Sequence, residues 1–156
     1  MEKLNIDLGI KSYQFVEGGA PLVFNPSDPN VYARYMHAMD EIKAVETEMA
    51  AKANAIVAED DSVEAQAKAG AASLQVMEET DRRIKTILNG IFGGENNFDN
   101  ILKGVNLMAV TSSGDRVINS LLEALAPIME GGAKNCVEAE IKEAKLNREQ
   151  RRALGA

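Results

Sequence analysis

The sequence predicts a mainly α protein with a small N-terminal β-hairpin, an α+β chain in which a long antiparallel helical hairpin is followed by a shorter helical C-terminal part. Three observations carry that prediction. Val63, Ala67, Gly70, Leu74, Met77, Asp81, Ile84, Leu88 and Ile91 recur at alternating steps of four and three residues, the spacing of a helix that lays one stripe against another helix. Tyr35, Met39, Ile42, Met49, Ala53 and Ile56 keep the same alternation upstream, with Glu46 in the slot where an apolar residue is missing. Finally, 46% of the residues are hydrophobic but only 4% aromatic, with no Trp. Such apolar content, mainly Ala, Leu, Ile, Val and Met, suits close-packed helices better than a sheet sandwich.

A chain of 156 residues is long enough for one domain with a real core and short for two. The expected organisation is a single domain over 1–156, with strands in 1–26, the hairpin arm in 29–92, short helices in 93–146 and a flexible basic tail in 147–156. At the N-terminus, Leu4, Ile6 and Leu8 alternate with Asn5 and Asp7. Tyr13, Phe15 and Val16 then lead through Glu17, Gly18, Gly19 and Ala20 to Leu22, Val23 and Phe24, a strand and a hairpin turning at the glycines. So small a sheet is marginal alone and needs the helices or another copy.

Asp28 before Pro29 is a helix start, because the carboxylate caps free amides and proline at the first position loses no needed donor. The first helix is expected from about Pro29 to Ala58. Asp61 with Glu64 three residues on forms a capping box for the second, which continues to about Gly90. At about 1.5 Å per residue, twenty-nine residues make an arm of about 44 Å, longer than a globule of this size needs. Gly93 to Asn97 break the helix, Phe98, Ile101 and Leu102 make a short helical piece, and Thr111 to Gly114 form the next break. A helix starts near Asp115 with Val117, Ile118, Leu121, Leu122, Leu125, Ile128 and Met129 on one face. Pro127 is expected to kink it or open a new turn. Gly131 and Gly132 separate it from a last helix carrying Val137, Ile141 and Leu146.

The net charge of −7 and pI near 4.8 exclude the electrostatic footprint of a duplex nucleic-acid binder. The charge is uneven. From Lys142 onward five basic residues (Lys142, Lys145, Arg148, Arg151, Arg152) face two acidic ones (Glu143, Glu149), so the last turns are basic and the remainder strongly acidic. No window approaches the ~18 apolar residues of a membrane span. The single Cys136 excludes an intrachain disulfide and, with no charged-then-apolar leader, points to a reducing cytoplasm.

Few residues suggest chemistry. His37 is the only histidine, which leaves no multi-histidine metal site. Cys136 has Lys134 as its only close cation and reads as a structural thiol. Glu59, Asp60 and Asp61 lack the ligand spacing and glycine of a calcium loop, and Gly93–Gly94 is not followed by the Lys-Ser/Thr of a phosphate loop. Neither catalytic, cofactor nor metal residues are expected. Asp81, a carboxylate in an apolar seam, costs several kcal/mol unless paired or solvated. A structural pair that sets register, with Arg34, His37, Arg82 or Lys85 in reach, is the expected answer. Met36, Met39, Met49 and Met77 lie on or beside the facing stripes; they either fill a core or form an adaptable binding surface. With Arg148, Arg151 and Arg152 of the basic tail, they are the candidate partner-binding residues.

One stretch reaches beyond these patterns: Ile91, Phe92, Gly93, Gly94, then Asn100 to Leu107, then Ser113, Gly114, Asp115, and Ile118 to Ile128. A helix ending in Phe-Gly, a short piece ending in Gly-x-Asn, and a terminal helix with a Pro-Ile step resemble the core of tail assembly chaperones of long-tailed phages and prophages. The N-terminal strand pair followed by a Pro-Asn helix start is similar too. This resemblance implies a non-enzymatic protein in the host cytoplasm that binds tape-measure or tail-tube protein and prevents premature assembly, and the chain is also expected to form a homo-oligomer. The alternative is a structural, oligomer-forming component of a virion or other assembly. Neither reading involves a cofactor, nucleic acid or membrane.

Overall fold

A computed structural model describes residues 1–155 and has the expected mainly α architecture with a small N-terminal sheet. Strands β1 (Lys11–Tyr13) and β2 (Leu22–Phe24) pair antiparallel with Ser12 opposite Val23. Helices α1 (Pro29–Asn54) and α2 (Val63–Phe92) form the hairpin, α3 (Phe98–Ile101) is one turn, and α4 runs from Val117 to Ala153.

Leu4, Ile6 and Leu8 lie outside the strands. Residues 1–10 are irregular and exposed, tethered by the Asn25 Nδ2 that donates to the Leu8 carbonyl at 2.8 Å. The hairpin is held from one side instead. Asn96 donates to the Val23 carbonyl and accepts from the Val23 N–H, both at 2.9 Å, satisfying the outer edge of β2 as a third strand would. Tyr13, Phe24, Phe92 and Phe98 then stack in series, with ring centroids 4.6 to 5.8 Å apart. This aromatic chain joins the sheet to the end of α2 and to α3.

Asp28 caps α1 as expected, accepting from the Asn30 N–H at 2.9 Å. The buried stripe of α1 is Val31, Tyr35, Ala38, Ile42, Val45 and Met49, which corrects the expected facing stripe. Val45 occupies the slot that Glu46 left open, and Met39 lies at its edge. On α2, Ile84, Leu88 and Ile91 are buried as predicted, but Val63 and Leu74 are 87% and 62% exposed. The half-buried positions in that part of α2 are Ala65, Ala69, Ala72, Ser73, Val76 and Met77. The seam therefore turns outward over the first turns of α2.

The reason is register. Lys52 pairs with Glu79 at 3.4 Å, Glu48 with Arg83, and Arg34 donates to the Ile91 carbonyl at 2.8 Å. The first helix ends at Asn54, short of the expected Ala58, two residues past Lys52, whereas α2 begins sixteen residues before Glu79. Roughly four turns of α2 thus run past the end of α1, with the connection 55–62 as the return. The cap of α2 is Ser62, whose hydroxyl accepts from the Ala65 N–H at 3.1 Å. Asp61 does not cap it.

The last helix also departs from expectation. It is one helix of 37 residues with Pro127 inside it, and Gly131–Gly132 do not end it. Gly132 serves close approach: a Cβ there would lie 1.7 Å from the Pro26 carbonyl oxygen, whereas one at Gly131 would meet nothing within 4 Å. Ile118, Leu121, Leu125 and Met129 bury the first half of α4, and the segment 147–153 continues helical and exposed. Ala156, at the end of the expected tail, lies outside the described residues. No helix among the described residues is long and apolar enough to cross a membrane.

Candidate functional site

Polar chemistry gathers where α2 meets the loop after α3. Lys85 is only 5% exposed. Its Nζ lies 2.7 Å from Asp99 Oδ1, 2.9 Å from the Val105 carbonyl and 3.0 Å from Asp81 Oδ1. Asp99 and the Val105 carbonyl accept hydrogen bonds from the ammonium, and the Asp81 carboxylate pairs with it as an ion. Asp81, one turn back on the same face, also accepts the Leu107 N–H at 2.7 Å. The expected structural pairing of Asp81 is present with Lys85, but it locks α2 to the 105–107 loop rather than to α1. Asn89 adds a further tie, accepting the Phe98 N–H at 2.8 Å. No buried side-chain nitrogen or oxygen among the described residues lacks a partner. The cluster is saturated, and its geometry makes it a clamp between elements.

His37 is exposed on α1, and Cys136 is half-buried on α4, two turns along from Met129. The run Glu59–Asp61 lies in the connection ahead of α2. There Asp60 accepts the Ser62 N–H at 2.8 Å, and hydrogen bonds from Ser62, its side chain first and then its backbone, hold the Asp60 carboxyl below the usual range. Among the described residues, no three His, Cys, Asp or Glu side chains come together as a metal site.

The candidate partner-binding residues separate. Met49 is 3% exposed and belongs to the core, and Met39 packs against that core. Met49 and Met77 line a crevice of about 350 Å³ with Val76, Met108 and Ile118, where α1, α2 and the start of α4 meet. Met36 is half exposed on α1. Arg148, Arg151 and Arg152 stand exposed on the last turns of α4, outside that crevice.

The exposed apolar surface lies elsewhere. Val63, Ala67, Gly70 and Leu74 form the outer face of α2, and Val137, Ile141 and Leu146 stand on the second half of α4. Leu4, Ile6, Leu8 and Ile10 line the N-terminal arm. Sequence reasoning named the α2 residues but assigned them to an internal seam, and did not single out Val137 and Ile141 as a surface. A signal was present in the unbroken spacing of Val31, Tyr35, Ala38, Ile42, Val45 and Met49, which matches the inner face of α1 without a charged slot and stops where α2 loses its partner.

No family model, curated protein or solved structure matches this chain.

With no relative to supply a role, the surfaces are read by their chemistry. The buried polar groups among the described residues are partnered within the chain, whereas apolar faces on projecting helices gain free energy when another chain covers them, at roughly 25 cal/mol per Å² buried.

Proposed function

We propose that this chain is a non-enzymatic protein-binding protein, a phage or prophage tail assembly chaperone that holds tape-measure or tail-tube protein in the host cytoplasm and prevents premature assembly. The observation that carries the binding reading is the set of apolar faces left in solvent on α2 and α4, beside an interior whose charged group, Lys85, is held by Asp99, Val105 and Asp81. Helical clients covering such faces bury Val, Leu and Ile side chains at adaptable geometry. The chaperone assignment itself rests on the resemblance over Ile91–Ile128.

The test is an affinity pull-down of the tagged chain from its own source cells after phage induction, with the co-purifying chains identified by mass spectrometry. Recovery of a long coiled-coil chain or a tube-forming subunit supports the reading; recovery of the protein alone, or only with its own copies, removes it. A structural role in an assembly is the second reading, favoured by the exposed alternation of Leu4, Ile6, Leu8 and Ile10, which is ready to pair as a strand between copies. Growth into rings or filaments with concentration distinguishes it from a small, closed oligomer.

A further inference from the structure

We propose that the second half of α4 of one copy docks antiparallel on the outer face of α2 of a second copy. The inference rests on the reading that these outer faces bind protein, and it names one occupant, this chain itself.

Both faces are helical and of equal length, and they stand exposed apart from Ala133, which is half-buried. The α2 face runs from Val63 through Ala67 and Gly70 to Leu74, and the α4 face from Ala133 through Val137 and Ile141 to Ala144. Each spans twelve residues, about 16 Å of helix from first to last. Their side-chain sizes are complementary when the helices run in opposite directions. Val137 and Ile141 then oppose Gly70 and Ala67, while Leu74 and Val63 oppose Ala133 and Ala144. Large faces small at every level, the condition for close interhelical packing.

Charge selects the same direction. Beyond Ala144 come Lys145, Arg148, Arg151 and Arg152, with Glu149 as the single acid, and ahead of Val63 come Glu59, Asp60 and Asp61. Antiparallel docking lays the basic end on this acidic connection, and Asp60 is held ionised there. The parallel arrangement instead brings the basic end to α2 beyond Leu74, where Glu78, Glu79 and Asp81 are balanced by Arg82, Arg83 and Lys85. It forfeits the complementarity.

The contact is between copies because α4 is one continuous helix. Its first half is anchored through Leu125, Met129 and the Gly132–Pro26 approach, and every described residue after Cys136 is exposed. Bringing the tail back to α2 of its own chain requires breaking that helix.

The experiment is sedimentation velocity on the purified full chain, from low to high micromolar, at low and high salt. Wild type is expected to self-associate with concentration, less so at high salt. Reversing the tail (Arg148→Glu, Arg151→Glu, Arg152→Glu) is expected to weaken association about tenfold or more, as is reversing the connection (Glu59→Lys, Asp60→Lys, Asp61→Lys). Combining both sets in one chain is expected to restore it. Ile141→Glu is expected to abolish association without restoration by either set. These positions are exposed, and an unchanged helical circular dichroism spectrum checks that each variant folds. A wild type that remains monomeric throughout, or a combined variant that fails to recover, overturns the proposal. Client capture from cells is scored separately. A chain that captures client but does not self-associate defeats only this inference, and one that self-associates without capturing client defeats only the chaperone reading.

Discussion

Where Val31–Met49 of α1 faces Thr80–Phe92 of α2, apolar side chains are buried and the polar groups entering the interior have specified partners. In the first turns of α2 and the last turns of α4, helices of similar character carry Val63, Leu74, Val137 and Ile141 in solvent. The difference does not come from helix propensity, since the exposed turns are richer in the strong helix formers Ala, Glu and Lys than the buried region is. It comes from what lies alongside. The base has four side-chain ties from α2 and the segment after it to the surrounding backbone, through Asp81, Lys85, Asn89 and Asn96. The projections have none of these ties. Apolar patterning therefore specifies that a face will be covered, while polar ties specify which part of the same chain covers it.

The comparison is broken most sharply by equal truncations in the two regions. Phe98, fully buried between Phe92 and the core, is expected to lose about 4 kcal/mol on Phe98→Ala. Leu74→Ala, at low protein concentration, is expected to stay within about 0.5 kcal/mol. Urea unfolding midpoints measure both. A large loss at Leu74 shows that the first turns of α2 have an intrachain partner after all.

Next in size is the glycine pair. Gly132→Ala places a methyl group against the Pro26 carbonyl and is expected to cost about 3 kcal/mol by forcing α4 away from the β2–α1 connection. Gly131→Ala, one residue earlier in open space, is expected to stabilise by about 0.5 to 1 kcal/mol through reduced backbone entropy in the unfolded chain. Opposite signs from adjacent glycines locate the boundary between anchored and projecting parts of α4. Two losses of equal size place both glycines in the anchored part.

Asp81→Leu follows. As a carboxylate in a helix–helix seam, Asp81 would be improved by leucine. Its actual position, accepting the Leu107 N–H and facing the Lys85 ammonium, reverses the sign, because the substitution orphans the amide and takes an anion away from a buried cation. A loss of about 2 kcal/mol in thermal or urea unfolding is expected, and a gain shows that solvent replaces both contacts without cost.

Much of this architecture was legible in the sequence. The hairpin, the Asp28–Pro29 start, the one-turn helix at Phe98 and the burial of Ile84, Leu88 and Ile91 follow from periodicity and capping chemistry. The phase of α1 was misread because Met39 is apolar enough to substitute for Ala38 in a pattern count, and only the charged Glu46 in the next slot marks the error. The continuity of α4 was hidden because a glycine pair reads locally as a break, while its cause, the approach of Pro26, is separated by about a hundred residues of sequence. The Lys85 clamp was only half visible: an i, i+4 carboxylate–ammonium pair is local, but Asp99, Val105 and Leu107 reach it through tertiary folding. The candidate surface was present as a list of residues and absent as a direction, since a heptad repeat does not say whether its partner is internal.

The finest probe of the base is Tyr35, which sits on the buried stripe of α1. Burial pushes its hydroxyl above its ordinary pKa of about 10, with repulsion from Glu130 on α4 and from Tyr32 adding to it. The folded state thus holds the tyrosine proton more tightly than the unfolded chain does, and its share of stability is fully present below about pH 10. As pH rises from there towards the folded pKa, the unfolded chain ionises first and that share is lost. Tyr35→Phe removes the titration, so the denaturation midpoint of the variant is expected to fall less steeply than that of wild type above about pH 10, with parallel curves below. Glu130→Gln removes one of the two repulsive charges while leaving the burial, and is expected to give an intermediate slope. If Glu130→Gln matches wild type, α4 does not approach α1 closely enough at this level for its charge to be felt, and the anchored part of α4 ends before Glu130 rather than at Gly132.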